Sequence, residues 1–132
     1  MKNILVFIID QNPVQGNFLK YSFCSSGIKN VFLYHTPDEC LYSMRKTKLP
    51  NFIIADTAFM NMTDLEFLDM IRGINPSVKV IFYSDNEDVF HISRLLEAGA
   101  SDYIVRAGNN RNWIRELTSN LQYLIKEAFP LK

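Results

Sequence analysis

The stretch Asn51–Leu68, NFIIADTAFMNMTDLEFL, decides the fold of this chain. Its four apolar residues 52–55 are not interrupted by a polar side chain, which is typical of a strand covered on both faces and therefore of a parallel sheet. Asp56 ends this run, and the helix that follows begins where Thr63 and Glu66 have the spacing of a capping box. Open parallel sheets bind ligands in the crevice outside the carboxyl ends of their strands, so we expect Asp56 to lie at a functional edge.

The same order of strand, polar residue and helix occurs four more times along the chain. Asn12 before Pro13 indicates a helix start, and Gly27 and Gly99 indicate helix ends. We predict an α/β protein of the flavodoxin-like (βα)5 type, a three-layer sandwich around a parallel five-stranded sheet in the order 2-1-3-4-5. Apolar runs predict the other four strands at Ile4–Ile9, Val31–Tyr34, Val78–Tyr83 and Tyr103–Val105.

Helical spacing predicts which side chains of the helices pack inward. Trp113 is expected to face inward on the last helix. The apolar positions of the first helix are Val14, Phe18, Tyr21, Leu19 and Phe23. In the fourth helix, about residues 87–98, the pattern exposes His91 and Arg94 and turns inward Ile92, Leu95 and Leu96.

The totals of the sequence favour a single cytoplasmic domain. A chain of 132 residues has room for one core, and 14 acidic residues against 14 basic ones give a formal net charge of zero, which indicates no general attraction to nucleic acid or anionic membrane. The apolar run Ile4–Ile9 is too short to be a signal-peptide core or a membrane span. Cys24 and Cys40 have no partner at metal-ligand spacing, so we expect buried free thiols.

Four polar residues follow the ends of four predicted strands and should share one edge of the sheet. They are Asp10, Asp56, Ser84 and Arg106. Two carboxylates with a neighbouring backbone carbonyl suit a small hard cation such as Mg²⁺, which takes oxygen ligands. A hydroxyl and a fixed cation beside them can bind the oxygens of a phosphoryl group carried by one carboxylate. The pattern therefore predicts an aspartyl-phosphate site.

These residues, with the segment GASDY at Gly99–Tyr103, resemble the receiver domains of two-component response regulators over essentially the whole chain. The resemblance implies that Asp56 is the phosphoacceptor, with Ser84 and Arg106 as the other catalytic residues. It implies that Tyr103 is the aromatic residue that changes rotamer on activation.

The resemblance also implies a Mg²⁺ site, with departures that weaken it or abolish it. The implied ligands are Asp10, Asp56 and the backbone carbonyl of Ala58, with Gln11 as a candidate further ligand, although the family has an acidic residue where Gln11 stands. Arg106 stands where the family has a Lys, and a guanidinium can hold a carboxylate by two hydrogen bonds. We therefore expect Arg106 to pair with Asp56 in the resting protein and to compete with the metal.

Several further departures and boundaries follow from the same comparison. The usual Pro and Gly after the phosphoacceptor are Met60 and Asn61, and the usual Pro after the Lys is Ala107. We assign the receiver domain to residues 1–129 and treat 130–132 as the start of a linker to an effector domain.

The leading interpretation is a signalling module, not an enzyme, that takes a phosphoryl group from a histidine kinase or phosphotransfer protein onto Asp56. A surface change around Ser84 and Tyr103 would then be read by an effector domain or protein. Helix 4, strand 5 and helix 5 are the candidate surface for that partner or for a homodimer. The alternative is a phosphorylation-independent pseudo-receiver that acts as a protein-protein interaction module.

Three other classes fit less well. A phosphotransfer enzyme with its nucleophile at Asp10 would want an acid two residues later, where Asn12 stands, and flavin binding would want a hydroxyl- and Gly-rich loop after strand one. Trp113 among Arg106, Arg111 and Arg115 could suggest single-stranded nucleic acid, but an inward Trp is more often part of the core, and we expect no direct nucleic-acid contact.

Overall fold

A five-stranded parallel sheet with five helices forms the described part of the chain. The computed structural model describes residues 3–58, 61–106 and 112–130. The strand order β2-β1-β3-β4-β5 and the flavodoxin-like topology are as predicted. The strands are β1 (Leu5–Ile9), β2 (Asn30–Tyr34), β3 (Phe52–Asp56), β4 (Lys79–Ser84) and β5 (Asp102–Val105). The helices are α1 (Pro13–Ser25), α2 (Pro37–Lys46), α3 (Asp64–Ile74), α4 (Val89–Glu97) and α5 (Asn112–Ala128).

Two hydrophobic cores lie on the two faces of the sheet, because successive side chains of a strand point to opposite sides. In β3, Phe52 and Ile54 join the core beneath α1 and α5, whereas Ile53 and Ala55 join the core beneath α2, α3 and α4. All four side chains are fully buried. The uninterrupted apolar run of β3 is thus explained by burial on both faces.

Side chains at the helix starts confirm the capping predictions. Asn12 accepts hydrogen bonds from two backbone amides of the first turn of α1, and Thr63 and Glu66 form the reciprocal capping box of α3. Gly27 and Gly99 follow helix ends with φ of 104° and 111°, the left-handed conformation that favours glycine.

The face of α1 that packs on the sheet carries only part of the predicted apolar positions of this helix. Leu19 and Phe23 are buried with Gly16, but Phe18 is largely exposed and Tyr21 is 73% exposed. The helix carries two apolar stripes on opposite sides. Only the stripe with Gly16 lets the helix backbone approach β2 closely, since a Cβ at Gly16 would lie 2.7 Å from Leu33 Cδ1.

Two smaller predictions are also corrected. Cys24 is exposed on α1 and only Cys40 is buried, although both thiols are free as expected. In α4, Leu95 is fully buried but Leu96 is 44% exposed, because the short helix turns a single narrow stripe to the sheet.

In the described residues we find no helix that combines the length and apolar character needed to span a bilayer.

Candidate functional site

The register of the sheet sets the carboxyl ends of β1, β3, β4 and β5 level with one another. Ile9 pairs with Ala55, Asp56 pairs with Tyr83, and Ser84 pairs with Val105. The residues that end or follow these strands therefore meet at one edge, as the sequence predicts. Those residues are Asp10, Asp56, Ser84 and Arg106.

Asp56 and Arg106 form the expected ion pair. Arg106 Nη1 donates to Asp56 Oδ2 at 3.1 Å, and both side chains are mostly buried. The expected two-bond fork on one carboxylate is not what the structure has, because Arg106 Nε donates instead to Asp85 Oδ1 at 2.9 Å. Burial lowers the pKa of Arg106, but the hydrogen bond to Asp85 and the charge of Asp56 outweigh it and the net shift is upward. Arg106 is thus a fixed cation shared by two carboxylates.

Asp10 lies 1% exposed at the end of β1, and its carboxylate accepts three hydrogen bonds. Tyr83 Oη and Gln15 Nε2 both donate to Oδ2 at 2.7 Å, and the backbone amide of Asn12 donates to Oδ1 at 2.8 Å. Burial, followed by the charge of Asp10 and the hydrogen bond to it, raises the pKa of the Tyr83 hydroxyl well above its usual value. Tyr83 therefore remains a donor to Asp10 at neutral pH.

Ser84 and Tyr103 both contact the loop between β4 and α4. Ser84 Oγ accepts from the Asn86 amide at 3.0 Å, and Tyr103 Oη donates to the Asn86 carbonyl at 3.0 Å. Ser84 does not cap α4, whose N-cap is Asp88. The Tyr103 ring is already buried, and burial raises the pKa of its hydroxyl. Asn86 thus joins the candidate hydroxyl to the candidate switch residue.

The donor set at this edge does not fit a tightly held Mg²⁺. Both lone-pair positions of Asp10 Oδ2 are taken by Tyr83 and Gln15, and the Asp56 oxygens accept from Arg106 and from the Ala58 amide at 3.0 Å. Gln11 is exposed. Within residues 3–58, 61–106 and 112–130, no cluster of three or more His, Cys, Asp or Glu side chains could hold a metal.

An aromatic stack closes the α5 side of the site. The rings of Tyr83 and Trp113 are stacked with centroids 5.3 Å apart, and the Arg106 guanidinium lies 5.8 Å and 5.6 Å from these two rings. Trp113 is buried, as predicted, so its ring is not presented to solvent for stacking on a base. Of the three arginines near Trp113, Arg111 lies outside the described residues. Met60 and Ala107 also lie outside them.

The sequence matches the model of the response regulator receiver domain over residues 6–118. The chain belongs to this family. The identification agrees with the resemblance carried by the four edge residues and Tyr103.

Relatives of this receiver domain have low sequence identity but the same fold. Two-component response regulator ORR1 of Oryza sativa subsp. japonica is 26% identical in an alignment of length 111 that covers 76% of this chain and 48% of that protein. Fimbriae Z protein of Escherichia coli K12 is 24% identical over 112 residues, 85% of this chain and 53% of that protein. The receiver domain thus spans about half the length of these relatives.

Solved structures confirm the fold. The receiver domain of Francisella response regulator 1452 superimposes with a TM-score of 0.82 at 22% identity, covering 95% of this chain and 98% of that chain. The orphan response regulator HP1043 of H. pylori gives 0.77 at 20% identity, covering 91% and 94%. RcsB of Salmonella typhimurium gives 0.84 at 18% identity, covering 96% and 62%.

Three residues of the receiver's site were missed from the sequence. The apolar pattern identifies Tyr83 only as the last residue of a strand, yet its hydroxyl binds Asp10. A buried Tyr usually finds a hydrogen-bond partner, so its position one residue before the strand-ending Ser84 was a usable signal. Asp85 directly follows Ser84 and could have been named as a second acid near Arg106. Gln15 gave no signal, because its contact depends on how α1 sits on the sheet.

Proposed function

We propose that this receiver domain accepts a phosphoryl group on Asp56 from a histidine kinase or phosphotransfer protein in the cytoplasm, with weakened binding of Mg²⁺. The observation that carries the proposal is the contact between Asp56 and Arg106 at 3.1 Å. This contact supports the proposal because a permanent cation beside the carboxylate is suited to bind the oxygens of a transferred phosphoryl group.

The proposed reaction uses the carboxylate as a nucleophile. An oxygen of Asp56 attacks the phosphorus of the donor phosphohistidine, the phosphorus–nitrogen bond breaks, and the histidine nitrogen keeps the electron pair and takes a proton from water. Arg106 must then exchange its bond to the carboxylate for bonds to phosphoryl oxygens. Because this rearrangement gives up a partly buried ion pair, we expect the reaction to be slow.

We propose that the signal leaves the site through Ser84, Asn86 and Tyr103. The Ser84 hydroxyl is the neighbouring donor for a phosphoryl oxygen, and any movement of Ser84 displaces Asn86, which also accepts from Tyr103. Asn86 lies just before α4, whose first turn presents Phe90 with 81% of its surface exposed. The surface of α4, β5 and α5 is therefore the proposed contact for an effector or for a second copy.

Intact mass spectrometry after incubation with Mg²⁺ and acetyl phosphate tests the proposal. We expect slow, partial addition of one phosphoryl group to the wild type and none to Asp56→Asn. Asp85→Asn is the matched control, since it removes the other carboxylate bound to Arg106 and should still be phosphorylated. Addition to Asp56→Asn, or none to the wild type, would refute phosphorylation at Asp56, and fast, complete addition would refute the slow step.

The second candidate function is a phosphorylation-independent interaction module. It is favoured by the three hydrogen bonds to Asp10, whose carboxylate is stabilised by Tyr83, Gln15 and Asn12 without a cation. Titration with Mg²⁺ separates the two functions. The fluorescence of Trp113, which stacks on Tyr83, should respond saturably in a receiver that binds the metal and should not respond in a module that has lost it.

A further inference from the structure

We propose that Tyr83 is an internal competitor for the metal position at Asp10, and so sets how weakly this receiver binds a divalent cation. The proposal rests on the proposed receiver function and names the residue that regulates the site. The Tyr83 hydroxyl and the Gln15 side-chain amide both donate to Asp10 Oδ2 at 2.7 Å. A carboxylate oxygen has two acceptor positions, so this oxygen has none left for a cation.

The Tyr83 hydroxyl has two hydrogen-bond acceptors within reach in the described structure. The residue is 0% exposed, so its hydroxyl is cut off from water and leaving it unbonded would be costly. Asp10 Oδ2 at 2.7 Å and the Ile9 carbonyl at 3.5 Å are the acceptors within reach in the described structure. The shorter contact, to a carboxylate, is the stronger one.

The position of Tyr83 is fixed by its strand and by Trp113. Its backbone lies in β4 between Asp56 of β3 and Ile104 of β5, and its ring stacks on Trp113. A cation at Asp10 cannot push the side chain aside without breaking this packing. It must instead displace the Tyr83 hydroxyl from the carboxylate while the hydroxyl stays buried.

Tyr83 and Gln15 also reduce the need for a cation at this edge, because they already stabilise the Asp10 carboxylate. Two neutral donors and the Asn12 amide stabilise the Asp10 carboxylate without adding positive charge. Arg106 stabilises the Asp56 carboxylate through its positive charge. Each carboxylate is thereby stabilised by the protein's own donors, and a metal that binds Asp10 through Oδ2 must replace an existing hydrogen bond.

Isothermal titration calorimetry with Mg²⁺ alone tests the inference on the wild type and on Tyr83→Phe. Removing the hydroxyl keeps the ring and the stack on Trp113 but frees one position on Asp10 Oδ2. We expect the dissociation constant of Tyr83→Phe to fall by about tenfold or more, the size expected of a hydrogen bond to a charged acceptor. Tyr34→Phe is the matched control, because it removes a partly buried hydroxyl that donates to Ser43 of α2 instead, and its constant should equal that of the wild type.

Gln15→Ala provides an independent variant if Tyr83→Phe does not fold. Gln15 lies half-buried on α1, so its truncation leaves the core intact, and it should tighten Mg²⁺ binding in the same direction. Unchanged binding in folded Tyr83→Phe, or in Gln15→Ala if the first variant is unfolded, overturns the inference, and so does the absence of binding in every variant. The outcome is independent of phosphorylation, since tighter Mg²⁺ binding without phosphoryl transfer would refute the proposed function and leave this inference standing.

Discussion

Arg106 reaches Asp56 across an intervening strand: Nη1 of the residue that follows β5 lies 3.1 Å from Oδ2 of the residue that ends β3. The guanidinium passes over Tyr83 of β4, with its central carbon 5.8 Å from that ring. A shorter or less delocalised cation could not make this bond and the bond to Asp85 at once. For the proposed phosphorylation, this arrangement would both attract an anionic phosphoryl donor and occupy the carboxylate that is proposed to attack it.

We predict that Arg106→Lys accelerates phosphorylation of Asp56 by acetyl phosphate by about threefold. An ammonium group is a single point charge and cannot hold two carboxylates in the geometry of the guanidinium, so the resting pair with Asp56 should weaken. A change of about threefold corresponds to roughly 0.7 kcal/mol, within the range of partly exposed ion pairs. Intact mass measured over time gives the rate, and Arg94→Lys on the exposed face of α4 is the control. A slower reaction than in the wild type would contradict the prediction.

We predict that His91→Ala destabilises the domain by about 1–3 kcal/mol. His91 Nε2 lies 2.7 Å from Asp64 Oδ2, and Asp64 is buried at the start of α3. The sequence predicts an exposed His91, but the structure shows that it is half-buried and links α4 to α3. Loss of the imidazole leaves one oxygen of a buried carboxylate without this hydrogen bond, which costs about that much.

Urea unfolding at neutral pH measures the effect of His91→Ala. Arg94→Ala, on the same helix and exposed, is the matched control and should change the free energy of unfolding by less than about 0.5 kcal/mol. Equal stability of the two variants would show that the contact between His91 and Asp64 contributes little.

The fold was predictable from the sequence because each level of the pattern agrees with the others. The unbroken apolar run at 52–55 indicates a strand buried on both faces. Right-handed crossovers between five such units limit the strand order to very few choices, and the order chosen among them is the one observed. Strand-end positions then place Asp56 near Arg106 without any knowledge of side-chain geometry.

The hydrogen bonds of the site were less predictable, because they depend on tertiary packing. Tyr83 and Asp10 are 73 residues apart, and their contact requires the register of β4 against β3 and of β3 against β1. The orientation of α1, which places Gln15 on Asp10, was ambiguous because that helix has two apolar stripes. Gly16 resolves the ambiguity sterically, and hydrophobic periodicity does not report such close approach.

We predict that the stability of the domain falls above pH 9 through Cys40. Burial raises the pKa of its thiol from 9.0 to about 12. In that interval the unfolded chain loses this proton and the native state keeps it, so the native state binds more protons and the free energy of unfolding decreases as pH rises. The slope from this one group is at most about 1.4 kcal/mol per pH unit.

Urea unfolding between pH 8 and about pH 10 can measure this slope in two matched variants. Cys40→Ala should lower stability at every pH but flatten its decline, whereas Cys24→Ala, at an exposed position, should keep the wild-type slope. An unaltered slope in Cys40→Ala would show that another group causes the decline.

Two helical glycines should respond in opposite ways to alanine. Both gain roughly 1 kcal/mol of helix propensity from the substitution. At Gly73 of α3 an added Cβ meets no atom within 4 Å, so Gly73→Ala should stabilise the domain by about that amount.

At Gly16 the Cβ would lie 2.7 Å and 3.0 Å from the two δ carbons of Leu33 and 3.4 Å from Asp10 Cβ. Leu33 must then change rotamer or α1 must move outward, which typically costs about 1–3 kcal/mol. Gly16→Ala should therefore be less stable than Gly73→Ala by about 1–3 kcal/mol in urea unfolding, and equal stabilisation of both variants would mean that α1 does not depend on close approach to β2.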